Sequence, residues 1–308
     1  MFHLPWFVIA QVNRSNSNLF FQIYVGANEM YSFSTKGIHS KRIKITANGR
    51  RIPLLILRPI NEPSNAPGVM WIHGGGYMTG MKEMAYIGRA ADLVRNHGAV
   101  VIAPGYHLSL FHPYPTALYD CYATLLYIKD HAKELGINPD QIMVGGESAG
   151  GGLTAAISML ARDKGEVKVA FQMPLYPMID NYDTDSSKNN HSKVWNTKRN
   201  HQAWAVYLRK DAKKDVSPYA APARQTDYSN LPPAYTFVCT AEPFYCETLK
   251  YINDLKAAGV EAKVDIYEGM YHAFDMNEPN NPISKEAIKN FNEVFAYAKE
   301  HYFATQEH

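Results

Sequence analysis

From Lys41 onward, short apolar runs rich in Val, Ile and Leu alternate with longer stretches whose apolar positions recur at helical spacing. The runs predict strands at Arg42–Ile45, Ile52–Arg58, Val69–Ile72, Ala99–Ala103, Gln141–Val144, Val167–Met173, Ala234–Val238 and Ala262–Tyr267. Several are continuously apolar, as expected for strands buried on both faces. Between them, Met84–Asn96, Thr116–Leu135, Ala149–Arg162, Glu247–Ala258 and Ser284–Tyr302 predict helices. This alternation predicts an α/β fold, with a mostly parallel eight-stranded sheet flanked by helices. The first two strands are joined by Ala47-Asn48-Gly49, a hairpin signal that predicts an antiparallel edge.

Two segments break the rhythm. Met1–Gly37 is rich in Phe, Tyr and Asn and precedes every strand of the expected sheet. Ile179–Pro233 is about 55 residues long, where such connections usually need about 2–6. It opens as a polar loop and continues into a helix-like stretch with Trp195, Trp204 and Tyr207, a composition that favours a lid.

Composition narrows the classes. Apolar residues make up 46% and charged residues 19% of the 308, which excludes intrinsic disorder. Lys+Arg 31 against Asp+Glu 29 leaves +2 and no basic stripe, so no nucleic-acid partner is expected. Three cysteines without a C-x-x-C pair point to neither a disulfide framework nor a structural zinc site. Met1–Ala10 is apolar but short, carries Pro5 and lacks a basic start, so it does not read as a signal peptide. No apolar run approaches the roughly 18 residues of a membrane span. The expectation is a cytoplasmic protein without cofactor or metal.

Two glycine-rich turns carry the candidate chemistry. Gly146-Glu147-Ser148-Ala149-Gly150 follows an apolar strand and opens a helix, the strand–turn–helix context of a nucleophile elbow. By itself the pattern would equally describe a β–α turn with a helix-capping serine. His73-Gly74-Gly75-Gly76-Tyr77 follows the strand Val69–Ile72. Rossmann spacing fails at Thr79 and a Walker loop fails at Met81-Lys82. An oxyanion hole fits: the amides of Gly74, Gly75 and Ala149 would face a tetrahedral oxyanion. Tyr77, beside these glycines, is expected to line the substrate pocket.

A hydroxyl nucleophile needs a base, and the base an orienting carboxylate. Of the twelve histidines, His272 alone lies downstream of Ser148 in a loop just after a sheet strand. Loops leaving strand C-termini form the ligand crevice of open α/β sheets. Glu242 closes the apolar run Tyr235–Cys239, with Pro243 in the first turn of the next helix, and is the expected acid. Glu247, five residues on, is expected to face away. Asp265 and Glu268 lie too near His272 along the chain to orient it. Glu147 reads as a hydrogen-bonded brace for the elbow. Met78, Met81 and Met84 are divided between pocket lining and core packing.

Together, His73-Gly74-Gly75-Gly76, Gly146-Glu147-Ser148-Ala149-Gly150-Gly151, Glu242-Pro243-Phe244 and Tyr271-His272-Ala273-Phe274 resemble the bacterial hormone-sensitive-lipase-like carboxylesterases of the α/β-hydrolase fold. The resemblance runs from about Arg42 to the end. It implies a serine esterase of small, often short-chain acyl or aryl esters, with a helical cap. The cap would be built from residues 1–37 and from the insertion within 179–233, over a hydrolase domain spanning 38–308. Three departures stand out. Glu242 replaces the family's usual Asp, and Glu147 its usual Asp before the nucleophile. The family's Tyr-Arg-Leu-Ala-Pro-Glu-His-Pro reads Tyr106-His107-Leu108-Ser109-Leu110-Phe111-His112-Pro113, which removes an Arg and a Glu expected to pair near the cleft. An amidase or peptidase would use the same residues. A non-catalytic receptor of this family would lack the histidine. The expected partner is a small-molecule ester, and the sequence leaves a homodimer undecided.

Overall fold

The computed structural model describes the backbone of residues 10–15, 18–24 and 30–34, and backbone and side chains of 36–306. Most of Met1–Ala10, read above against a signal peptide, lies outside the described residues. The opening segment, expected to carry part of a helical cap, contains three antiparallel strands where it is described: β1 (Ala10–Ser15), β2 (Asn18–Tyr24) and β3 (Met30–Ser34). They form a sheet of their own. Their Phe, Tyr, Val and Ile content suits extended backbone at least as well as helix.

The main sheet has eight strands: β4 (Ile38–Ala47), β5 (Arg50–Pro59), β6 (Ala66–Ile72), β7 (Val100–Pro104), β8 (Ile137–Glu147), β9 (Phe171–Leu175), β10 (Ala234–Cys239) and β11 (Ala262–Tyr267). Their order is β11-β10-β9-β8-β6-β7-β5-β4. β4 pairs antiparallel with β5, and β5 antiparallel with β7; the other pairs are parallel. The expected antiparallel edge is the β4–β5 hairpin, turning at Asn48 and Gly49, both with positive φ.

The α-helices of the described residues are α1 (Arg89–His97), α2 (Thr116–Asp130), α3 (Ala132–Leu135), α4 (Ala149–Lys164), α5 (Thr197–Leu208, within the insertion), α6 (Tyr245–Ala257), α7 (Phe274–Asn277) and α8 (Pro282–His301). The helix expected over Met84–Asn96 is split. A 3-10 turn, Lys82–Tyr86, gives way to α1 across Gly88, whose φ of 67° no regular helix accommodates.

Alternate residues along the central strands point to opposite faces. Leu54, Ile56, Met70, Ile72, Ile142 and Val144 pack with α2 and α4 on one side. Leu55, Leu57, Val69, Trp71 and Met143 pack with α1 and α8 on the other. Both faces are covered, which is why these strands read as continuous apolar runs. At the C-terminal ends of β6, β8, β10 and β11 the chain leaves the core along one rim, where the glycine loop, Ser148, Glu242 and His272 follow.

Candidate active site

Ser148 stands between β8 and α4 with φ +57° and ψ −118°. Positive φ in a non-glycine residue costs on the order of 1–3 kcal/mol and persists only where the surroundings impose it. Here Ser148 N–H donates to Leu175 O at 3.0 Å, and its carbonyl accepts from Gly152 N at 2.9 Å and Met178 N at 3.0 Å. The turn is tight enough that a Cβ at Gly146 or Gly150 would collide with the Ile72 carbonyl oxygen. Glycine at both positions is therefore a steric requirement of the elbow.

His272 lies five residues beyond β11. Its Nε2 is 2.9 Å from Ser148 Oγ, and its Nδ1 is hydrogen-bonded to Glu242 Oε2. Glu242 is fully buried, and its other oxygen accepts from Cys239 N at 2.8 Å. The carboxylate is thus held at both oxygens, with Nδ1–H as the donor on one side. That tautomer leaves Nε2 free to accept the serine proton. Phe244 and Tyr176 meet the imidazole edge-on at ring distances of 5.0 and 4.9 Å, which restrict its rotation. The sequence carried no signal for Tyr176, whose φ of 34° puts it in an uncommon backbone region.

The glycine loop lies against this pair. A Cβ on Gly74 would sit 3.2 Å from Ser148 Cβ, and Gly75 has φ +114° with no room for a side chain beside Thr79. Ala149 is the first residue of α4, so its N–H has no intrahelical acceptor. His73 heads the glycine motif, but the sequence assigns it no role of its own. Its Nδ1 is 2.8 Å from Gly74 O, its ring stacks on Tyr106 at 4.3 Å, and Tyr106 Oη donates to His73 O at 3.0 Å. Burial lowers the His73 imidazole to about 4, so it is neutral at pH 7 and acts as a strut for the loop.

Tyr77, expected in the substrate pocket, is instead 1% exposed. Its hydroxyl donates to Met178 O at 2.8 Å and its ring stacks on Tyr207 of α5 at 4.0 Å. It ties the glycine loop to the inserted helix from behind. The residue that reaches the site from the insertion is Trp195. Its ring abuts Gly76 and lies 6.3 Å from the His272 ring.

The remaining carboxylates sort by partner. Trp71 Nε1 donates to both oxygens of Glu147 at 3.0 Å, so Glu147 does brace the elbow. Burial, reinforced by the charge of Asp275, raises its carboxyl to about 8. Glu247 does not face away. It is buried, and its Oε1 accepts from Ile179 N at 2.8 Å and Asp180 N at 3.1 Å, anchoring the start of the insertion. Burial and the Asp180 charge raise its carboxyl well above the usual range. Asp265 is occupied by Tyr235 Oη at 2.8 Å.

The insertion is tied to the segments around Glu242 and His272. Ser186 Oγ donates to Pro243 O at 2.7 Å, Asn190 Nδ2 to Ala241 O at 3.2 Å, and Lys193 pairs with Glu278 at 3.2 Å. Where the family motif loses its Arg and Glu, buried Asp120 accepts from His107 Nδ1 at 2.6 Å and from Arg50 Nη2 at 2.9 Å. A cation from the β4–β5 hairpin thus faces Asp120 beside His107. Leu110 and Phe111 point outward, Phe111 at 85% exposure.

Among the described residues no group of three His, Cys, Asp or Glu is arranged to hold a metal ion, and no helix is long and apolar enough to cross a membrane. Residues 69–276 match the model of a family described by its alpha/beta hydrolase fold. The arylesterase of Saccharolobus solfataricus is 32% identical over 239 residues, 76% of each chain. Esterase LipI of Mycobacterium tuberculosis is 30% identical over 220 residues, 69% of this chain and 67% of that one. Among solved structures, a bacterial heroin esterase superposes with a TM-score of 0.82 at 32% identity, covering 86% of both chains. A Pyrobaculum calidifontis esterase reaches 0.78 at 30%, covering 85% of both. By these matches the chain belongs to the hormone-sensitive-lipase-like family of α/β hydrolases, a family of carboxylic ester hydrolases.

Proposed function

We propose that the chain is a serine carboxylesterase that hydrolyses small acyl or aryl esters through Ser148, His272 and Glu242. The observation that carries this reading is the 2.9 Å contact between His272 Nε2 and Ser148 Oγ, with Nδ1 of the same ring on Glu242. In the first step His272 takes the Ser148 proton as Oγ attacks the ester carbonyl carbon. Negative charge develops on the carbonyl oxygen, where the N–H groups of Gly74, Gly75 and Ala149 stabilise it; one such donor is worth about 10²–10³ in rate. The imidazolium, kept in place by ionised Glu242, protonates the leaving alkoxide and leaves an acyl-serine. Water, deprotonated by the same nitrogen, attacks the acyl carbon, and collapse of the second tetrahedral intermediate frees the acid and restores Ser148.

The reading takes 1–37 and 179–233 as cap segments over a hydrolase domain of 38–308. The bonds from Ser186, Asn190 and Lys193 support this for the second segment. It includes a reducing, cytoplasmic setting, supported by three free cysteines. A homodimer would pair through an edge strand of the main sheet, β11 (with Ile266 48% exposed) or β4, or through the last helix, α8.

The test is a panel of p-nitrophenyl esters from acetate to laurate, with aryl acetates and matched anilides alongside, combined with fluorophosphonate labelling. Ester turnover with Ser148-dependent labelling is expected. Faster anilide cleavage would make the chain an amidase, and absence of both labelling and turnover would overturn the reading.

A further inference from the structure

Beside the loop that carries His272 lies a fully buried ion pair that the reaction above does not use. Arg89 opens α1 and is 2% exposed, yet its guanidinium Nη2 is 2.6 Å from Asp275 Oδ2. The two residues are 186 positions apart in sequence. Arg89 Nη1 also reaches Asp92 Oδ2 at 3.4 Å, and its Cζ lies 5.8 Å from the centre of the Phe291 ring. Asp275 sits on the one-turn helix α7, three residues after His272, and its Oδ1 has no hydrogen-bond partner among the described residues. Arg89 is thus the only group bonded to this carboxylate there.

Burying a guanidinium and a carboxylate is costly, and apolar residues of similar volume often serve stability as well or better. A pair retained in such a place calls for a role in geometry. The chain between Asp275 and His272 supplies one. It runs through Ala273, a non-glycine residue at φ +56°, and Phe274, which is wedged against Tyr267 and Phe237. With so short and tight a connection, a shift of Asp275 moves the His272 ring. Tyr176, whose ring packs on His272 at 4.9 Å, reaches the same turn through its hydroxyl, 3.7 Å from Met276 Sδ.

We infer that Arg89, acting through Asp275, is a positioning residue for His272: the pair pins α7 to α1 and thereby sets the Nε2–Oγ distance. Neither residue touches the reacting atoms. The inference rests on the esterase reading, because it presumes that His272 is the base. A displacement near 1 Å imposed from outside the site can cost about 100-fold in rate. Arg89→Met and Asp275→Asn should therefore lower kcat on p-nitrophenyl acetate by about 10- to 100-fold at nearly unchanged KM. Arg89→Lys, which keeps the charge, should recover most of the loss.

The double variant Arg89→Met/Asp275→Leu separates position from stability, since it removes both members of the fully buried pair and leaves only Asp92, which is partly exposed and 3.4 Å from the guanidinium, without that contact. It is expected to melt at or above the wild-type temperature while remaining slow. The far-downfield proton of the His272–Glu242 hydrogen bond should shift or broaden in the same variants. Should a single variant fail to fold, the double variant decides. If the double variant folds with kcat within twofold of wild type and an unmoved proton resonance, the inference is overturned. An inactive, unlabelled wild-type enzyme would instead overturn the esterase reading beneath it.

Discussion

Ser148 Oγ and His272 Nε2 lie 2.9 Å apart although 124 residues separate them along the chain. Each is the product of a strand end: Ser148 follows β8 directly, and His272 hangs on the loop after β11. Between those strands in the sheet lie β9 and β10, so the contact is made across the rim by loops and not by neighbours in the sheet.

The Glu242 bond to Nδ1 gives the first prediction. Glu242→Gln keeps the size of the side chain but presents an amide to the ring and favours the wrong tautomer. A fall in kcat of about 10⁴ is expected, by analogy with the equivalent change in a Ser-His-Asp protease. Circular dichroism should remain native. Steady-state kinetics on p-nitrophenyl acetate check it, and a loss below tenfold would remove Glu242 from the mechanism.

Glu147 gives a prediction for stability against pH. Its folded-state carboxyl is raised to about 8, above the ordinary value of 4.5. Between those values the folded protein holds a proton that the unfolded chain has released. The stability tied to that proton is complete below about 4.5, declines as pH rises, and is gone above about 8. Each pKa unit corresponds to about 1.4 kcal/mol. Glu147→Gln removes the titration while keeping an acceptor for Trp71. Its melting temperature should therefore gain on the wild type from pH 5 to about pH 8 and level off by pH 9. Parallel melting curves across that range would refute the assignment.

The glycines predict an order of damage. A Cβ at Gly150 would collide with the Ile72 carbonyl and lie 2.7 Å from that of His73. Overpacking of that kind costs about 1–3 kcal/mol or more, and here the shift falls on the elbow itself. Gly98, at φ +70° on the end of α1, has open space around it, so Gly98→Ala bears only the left-handed penalty of roughly 1–2 kcal/mol. Urea denaturation with activity assays should show Gly150→Ala both unstable and inactive, and Gly98→Ala mildly destabilised at wild-type kcat.

Glu247 predicts a loss of stability with the chemistry intact. Truncation to Ala leaves the amides of Ile179 and Asp180 without their acceptor, at about 1–3 kcal/mol for a buried group left unsatisfied. Fluorophosphonate labelling of Ser148 should persist in the folded fraction. Complete loss of labelling in a folded variant would mean that Glu247 acts on the site directly.

Much of this molecule is legible along the chain. All eight strands of the main sheet were expected, because strands covered on both faces leave continuous apolar runs, and alternate residues of β5 and β6 do serve opposite cores. Boundaries were less legible. The strand expected over Val167–Met173 became β9, Phe171–Leu175, because only from Phe171 does the chain align beside Met143 of β8. Residues 1–37 concealed strands because aromatic and polar residues there follow no core that a reader could infer.

The site divides in the same way. Ser148, the glycine loop and His272 announce themselves locally, since a sharp strand–turn–helix, closely approached amides and a base at a strand end each require particular residues at short spacing. Tyr77, Glu247, Trp195 and the Arg89–Asp275 pair do not. Their roles depend on which surfaces meet after the insertion folds back and α1 packs beside the His272 loop, and no local spacing encodes a contact across 68 or 186 residues. The sequence by itself determined the sheet and the order in which the reactive groups leave it. The tertiary structure alone decided what supports them, because burial and partnership arise from packing between segments distant in the chain.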